Sequence, residues 1–148
     1  MIIKLGLLLG FFCVSQAVQE AQALEYDFSP NSIKTTKFSK YFTDTDVDSL
    51  EISAFDLNDD GIEEYIVRSP SGCAQNERCE YKVLAETPHK LVLLAKLEGL
   101  NITVDQNYSH GIRNLRLFDS EMNDFDYKLY VWEPLSTQYV EKQKASDE

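Results

Sequence analysis

Two short runs, Leu50-Glu51-Ile52-Ser53-Ala54-Phe55 and Ile62-Glu63-Glu64-Tyr65-Ile66-Val67-Arg68, flank the segment Asp56-Leu57-Asn58-Asp59-Asp60-Gly61. Both runs are rich in β-branched and aromatic residues, which suit a pleated, half-buried surface. The segment between them gathers the residues that turn a chain: Asp and Asn bond their own backbone, and Gly accepts a positive φ. Strand, acidic turn, strand is therefore the expected reading, a β-hairpin.

Working outward, the same grammar continues. Ser69-Pro70-Ser71-Gly72 breaks the second run. Cys79, Tyr81, Val83 and Ala85 then alternate with Glu80, Lys82 and Glu86, the period of a half-buried strand. Thr87-Pro88-His89 turns the chain, Lys90 to Leu97 reads as a fourth strand, and Glu98-Gly99 interrupts it. Asn101 to Val104 begins a second series: a polar loop to Gly111, a strand from Ile112 to Phe118, another from Asp126 to Glu133, and a last from Gln138 to Lys142. At an offset of 50 residues Ile52 falls on Ile102, Gly61 on Gly111 and Ile62 on Ile112. The expected fold is mainly β (α+β): two antiparallel four-stranded meanders, blade-like repeats, with a short N-terminal helix. They would pack as a sandwich or continue as one twisted sheet.

The helix is expected within Glu25 to Phe42. Ser29-Pro30 supplies an N-cap and a first-turn proline. Ile33, Phe38, Tyr41 and Phe42 would form its apolar side, with Lys34, Lys37 and Lys40 turned to water. Asp44, Asp46 and Asp48 follow without a glycine and read as a solvated acidic loop.

The first residues have the form of a secretory leader. Lys4 precedes the apolar run Leu5 to Val14, which is too short to cross a bilayer comfortably. Small residues at the −3 and −1 spacing occur twice, at Ser15-Gln16-Ala17 and Ala21-Gln22-Ala23. The second is preferred, because the chain turns polar and aromatic right after it. The expected division is a signal peptide over 1–23, an N-terminal segment over 24–49 and a two-repeat β domain over 50–148. No second apolar stretch is long enough to span a membrane, so the mature chain is expected to be secreted or periplasmic. It would keep about 125 residues, enough to bury one core.

Such a chain would retain two cysteines, Cys73 and Cys79. In an oxidising compartment the simplest expectation is one disulfide closing a short loop. A metal pair is the alternative, but neither a second cysteine pair nor a histidine cluster accompanies them. With 25 acidic against 14 basic residues the net charge is −11. That disfavours nucleic acid and anionic membrane surfaces as partners.

Chemistry concentrates in the first hairpin loop. Asp56, Asn58 and Asp60 alternate before Gly61, the carbonyl of Ile62 follows, and Glu64 closes the set. A hard cation such as calcium takes six to eight oxygens, and alternate side chains of a curled loop can converge on it. The set is not a complete EF-hand. The position of that motif's bidentate Glu holds Val67, and both flanks read as strands. Calcium bound with weak affinity is the sharper reading; an Asp/Asn/Gly turn with solvated acids is the plainer one.

The segment Phe55 to Val67 resembles the strand–loop–strand signature of FG-GAP and VCBS-type repeats. More narrowly, the order of acidic loop, cysteine pair and later strand–loop–Gly–strand unit is similar to that of small exported bacterial proteins of unassigned function. The resemblance spans roughly Leu50 to Glu141. It implies a structural unit with a calcium-type loop and says little about activity. Two departures qualify it. The second copy has Gln106, Tyr108 and His110 where the first has Asp56, Asn58 and Asp60, and so should not bind calcium. Two blades also cannot close a propeller.

Nothing catalytic stands out. His89 and His110 lie in turns without an identifiable partner, and no nucleophile elbow, zinc-binding helix motif or phosphate loop occurs. Asn101-Ile102-Thr103 and Asn107-Tyr108-Ser109 are glycosylation sequons that matter only in a eukaryotic secretory route. Phe125, Tyr127, Tyr130 and Trp132 cluster near the C-terminus and are expected in the core, with an exposed binding face as the alternative. The expected function is a non-enzymatic exported module that binds a protein or glycan. A small exported hydrolase and a purely structural envelope protein are the competing classes.

Overall fold

A computed structural model describes residues 22–23 (backbone only), 37–42, 49–69, 73, 78–119 and 126–142. These contain strands β1 (Gln22–Ala23), β2 (Glu51–Phe55), β3 (Glu64–Arg68), β4 (Cys79–Glu86), β5 (Leu91–Gly99), β6 (Asn101–Ser109), β7 (Ile112–Phe118), β8 (Tyr127–Glu133) and β9 (Gln138–Lys142). They form two antiparallel sheets, ordered β2-β3-β4-β5 and β1-β6-β7-β8-β9. Each expected meander is thus a sheet of its own, and β1 adds a fifth strand to the second.

The two sheets share one core. Leu57, Ile66, Tyr81, Val83, Leu94, Ala95 and Leu97 from the first sheet and its hairpin loop pack with Ile102, Val104, Leu115, Leu117 and Tyr139 from the second. Burying each large apolar side chain contributes about 1.5–3 kcal/mol, so this layer is the main source of cohesion. The choice left open between a sandwich and one continuous sheet falls to two sheets on a common core.

The first sheet is buried on both faces. Phe38, Phe42, Leu50, Ile52, Val67, Leu84 and Leu91 form a second cluster on its other side. This accounts for the uninterrupted apolar run in β3: Ile66 faces the shared core and Val67 the outer cluster. A bulge between β4 and β5 performs the same division. Val83 pairs with Ala95 and Leu84 with Leu93, which leaves Leu94 as the extra residue and directs both Leu94 and Ala95 to the shared core.

Residues 37–42 cover that outer face: Lys37 and Phe38 are α-helical and Ser39–Tyr41 form a 3-10 turn. The helix start expected at Ser29-Pro30, Ile33, Lys34, the 43–48 loop and most of the leader lie outside the described residues. Lys37 is not simply a solvated charge, as the sequence suggested. Its ammonium donates to the Tyr65 hydroxyl at 3.0 Å and to Glu86 at 2.6 Å, over the Tyr65 ring. Tyr41 donates to the carbonyl of Leu91 at 2.6 Å, and Lys82 donates to the carbonyl of Tyr41. Three side chains thus strap this segment to the sheet.

A second difference concerns β6, which continues through residues expected to form a polar loop. Val104 pairs with Leu115, but Tyr108 already pairs with Arg113, so β6 carries two more residues than β7 between those pairs. The surplus is absorbed in a wide bulge. Asp105 turns inward there, 3 % exposed, accepts from the Asn107 N–H at 2.8 Å and binds the Arg116 guanidinium at 2.6 Å. The hairpin then closes through His110 and Gly111, both at positive φ (52° and 81°), the two-residue turn that matches strand twist.

Candidate functional site

The first hairpin closes on the pair Phe55 and Glu64, and residues 56–63 form its loop. Asp56 accepts from the backbone N–H of Asp60 at 3.2 Å and of Gly61 at 2.8 Å through its two oxygens. Asn58 accepts from the same Asp60 N–H at 3.1 Å and donates its amide to the Asp60 carboxylate at 3.0 Å. Asp60 accepts from the Ile62 N–H at 2.7 Å. The alternate side chains named by the sequence are therefore turned into one curled loop. Gly61 sits at φ 83°, which explains its place there. Ile62 is 56 % exposed, and its side chain points to solvent at the loop's edge.

Glu64 differs from the other acids. It opens β3, is 7 % exposed, and accepts from the Leu57 N–H at 2.8 Å. Burial pushes its carboxyl pKa up, the bond from Leu57 opposes this, and the charges of Asp60 and Asp56 push it further up. The net shift is upward. Burial, with a contribution from the Glu64 charge, also raises the Tyr139 phenol, whose hydroxyl donates to the Arg113 carbonyl at 2.8 Å.

The loop is seated on the second sheet. Leu57, its one fully buried side chain, enters the shared core, and its carbonyl accepts from the Arg113 N–H at 2.8 Å. Asp59, at φ 57°, accepts from the Tyr108 hydroxyl and lies 3.5 Å from the Arg113 guanidinium. That guanidinium stacks over the rings of Tyr108 at 4.9 Å and Phe55 at 5.7 Å. Sequence reading missed Leu57, Tyr108 and Arg113 as partners of the loop. The offset of 50 placed Tyr108 as a degenerate ligand. It instead contacts the acidic loop from the second sheet.

Chemically, the loop offers hard oxygen donors from Asp56, Asn58, Asp60 and the Ile62 carbonyl, beside a buried carboxylate at Glu64. In the present geometry side-chain oxygens of Asp56, Asn58, Asp60 and Glu64 accept from backbone N–H groups of the loop. Among the described residues no group of three or more His, Cys, Asp or Glu side chains is gathered as a metal site.

The other candidates are placed plainly. Cys73 and Cys79 form the disulfide, with Cα atoms 4.0 Å apart, at the entry to β4. Arg78 beside it binds Asp119 at 2.7 Å and the Glu98 carbonyl at 3.1 Å. His89 and His110 are exposed in turns, on different hairpins. Asn107 of the second sequon donates its amide to Asp105 at 2.9 Å. Trp132 meets Tyr139 edge-on at 5.7 Å against the shared core, whereas Tyr127 stacks under Arg116 at 4.7 Å; Phe125 lies outside the described residues. No helix among the described residues is long and apolar enough to cross a membrane. Comparison with family models, with curated proteins and with solved structures finds no match.

Proposed function

We propose that this chain is an exported, non-enzymatic β module that binds a protein or glycan partner, with calcium shaping the loop of residues 56–64. In this reading the loop is of the FG-GAP or VCBS type that its sequence resembles. The observation that carries it is Glu64. A carboxylate at a nearly buried position disfavours its own ionisation, and Asp56 and Asp60 increase that cost. A divalent cation held by the loop oxygens relieves the repulsion and gives the buried carboxylate a cationic partner beside the Leu57 N–H.

The consequence for binding is mechanical. The loop is already anchored to the second sheet through Leu57 and Asp59, so a cation acts further only on the tip from Asp60 to Glu63. Ordering that tip fixes Ile62, an exposed apolar side chain rimmed by acids, as a contact for a partner. Affinity for calcium should lie in the range of extracellular modules, on the order of 10⁻⁴–10⁻³ M.

Thermal melts in millimolar calcium and in chelator test the cation, and capture from envelope and secreted fractions under the same two conditions tests the partner. Stability should rise by about 2.7 kcal/mol at a hundredfold excess over the dissociation constant. Superimposable melts and no calorimetric heat would reduce the loop to an acidic turn. Ile62→Ser, which keeps the backbone carbonyl and adds no charge to the loop, should lower partner capture.

A further inference from the structure

The strand β1 falls inside the residues read as a leader. Gln22 pairs with Val104 and Ala23 with Thr103, antiparallel, on the open side of β6. Cleavage after Ala23 would remove this strand, and cleavage after Ala17 would keep it.

The edge that β1 covers needs a cover. Exposed strand edges invite pairing with other chains and are blunted by charges, bulges or an added strand. The other edges of the two sheets carry charge: Glu51 on β2, Lys96 and Glu98 on β5, Glu141 and Lys142 on β9. Residues Asn101-Ile102-Thr103-Val104 of β6 carry none. They run in regular register with β7, with Ile102 and Val104 in the core, so the backbone facing away from β7 is flat and uncharged there. Beyond Val104 the bulge around Asp105 breaks the ladder and protects the rest of the strand. The pairs that β1 makes lie within the stretch that neither a bulge nor a charge defends.

We propose that the leader is cut after Ala17, and that Gln22 and Ala23 stay in the exported protein as the strand closing the β6 edge. Ser15-Gln16-Ala17 presents the small residues that the peptidase reads, directly after the apolar run. Processing precedes folding, so β1 does not shield the second site; it identifies which product has a complete sheet. The inference rests on the export reading, and its test separates the two.

Intact-mass measurement on protein recovered from the exported fraction should give a chain beginning at Val18. A chain beginning at Leu24 overturns the inference and leaves export standing, whereas a chain that keeps Met1 and stays in the membrane fraction overturns the cleaved-leader reading itself. The pairing is tested independently on two purified chains, one starting at Val18 and one at Leu24. Thr103 and Val104 point their N–H groups to opposite sides of β6, one toward β1 and one toward β7. Hydrogen exchange at the amide facing β1 should be slow in the longer chain and fast in the shorter one, with the other amide as an internal control. The shorter chain should also self-associate through the opened edge. Equal exchange in the two chains would overturn the role given to β1.

Discussion

The backbone N–H of Arg113 donates to the carbonyl of Leu57 at 2.8 Å, across the two sheets. This bond joins the acidic hairpin of the first meander to the corresponding hairpin of the second. Leu57 itself is fully buried in the shared core, so the same residue anchors the loop by backbone and by side chain. Leu57→Ala is expected to cost about 2–5 kcal/mol through lost burial and the cavity left behind. Urea denaturation monitored at Trp132 measures it. A loss under 1 kcal/mol would show that the loop is not held from the core.

The chain passes from the first sheet to the second through Gly99 and Leu100. A Cβ at Gly99 would lie 2.8 Å from Cδ1 of Leu117 and 3.0 Å from the carbonyl oxygen of Phe118. Leu100 also donates its N–H to that carbonyl, at 2.8 Å, so the backbones cannot part cheaply. Gly99→Ala should destabilise by roughly 1–3 kcal/mol through overpacking. At Gly111 a Cβ meets nothing within 4 Å, and only its φ of 81° opposes substitution. Gly111→Ala should cost about 1–2 kcal/mol. Comparable burial shifts around Leu117 in both variants would contradict the distinction, which side-chain NMR can resolve.

Asp105 is buried in the β6 bulge with Arg116 as its partner. Burial raises its pKa, but the Asn107 N–H, the Arg116 guanidinium and the Asn107 amide outweigh it, and the net shift is downward. A depressed carboxyl stabilises the fold above its unfolded pKa, and that contribution is lost as pH falls through the lower folded value. Acid unfolding below about pH 4 should therefore include this site. Asp105→Ala should cost roughly 2–3 kcal/mol at neutral pH, the scale of hydrogen bonds to a charged group, since Arg116 keeps some solvent access. Urea midpoints followed from neutral to acid pH should converge for the variant and the parent; parallel curves would remove Asp105 from the acid transition.

Glu64 has the opposite sign. Its raised pKa means that the folded state holds the proton more tightly than the unfolded chain. In chelator, its ionisation lowers stability as pH rises from the unfolded pKa of about 4.3 through the higher folded value. Glu64→Gln keeps an oxygen for the Leu57 N–H and removes the charge. It should raise stability in chelator at neutral pH while abolishing the calcium increment. Asp60→Ala should abolish the increment too, whereas His110→Ala should leave it intact. A variant that keeps the increment without Glu64 would take that residue out of the site.

The Cys73–Cys79 bridge spans a sequence separation of 6. So short a loop contributes roughly 2–3 kcal/mol of chain entropy. Cys73→Ser should lose no more than that, and protease susceptibility should rise between residues 69 and 79 while the β4–β5 pairing persists. Intact mass after alkylation without reduction should show no free thiol.

The strand series was legible because its signals are local. Alternation in Cys79–Glu86, the turn residues at 69–72 and 87–89, and the mixed polar and apolar stretches at 112–118 and 138–142 each act over a few residues. The grouping of Asp56, Asn58 and Asp60 in one loop was legible for the same reason, since neighbours in sequence are forced to be neighbours in space. The Cys73–Cys79 bridge was legible because a chain without the Cys13 of the expected leader would hold a single pair. Where the local signal was ambiguous, the reading failed. Asp105, Gln106 and Asn107 are polar and look like loop, yet strand pairing on both sides of them and a buried ion pair to Arg116 keep them in β6.

Residue chemistry and spacing alone thus determined a β-rich chain with two four-strand series and an acidic hairpin. Only the tertiary structure decided that each series forms its own sheet and that the two share a core. It also decided that Lys37 straps a covering segment, that Tyr108 and Arg113 of the second sheet hold the acidic loop of the first, and that Gln22 and Ala23 pair along an edge. These relations join residues far apart in sequence. Their energies come from apolar area, paired charges and backbone groups that exist as partners only once the sheets have met, and no short window of sequence contains both members of such a pair.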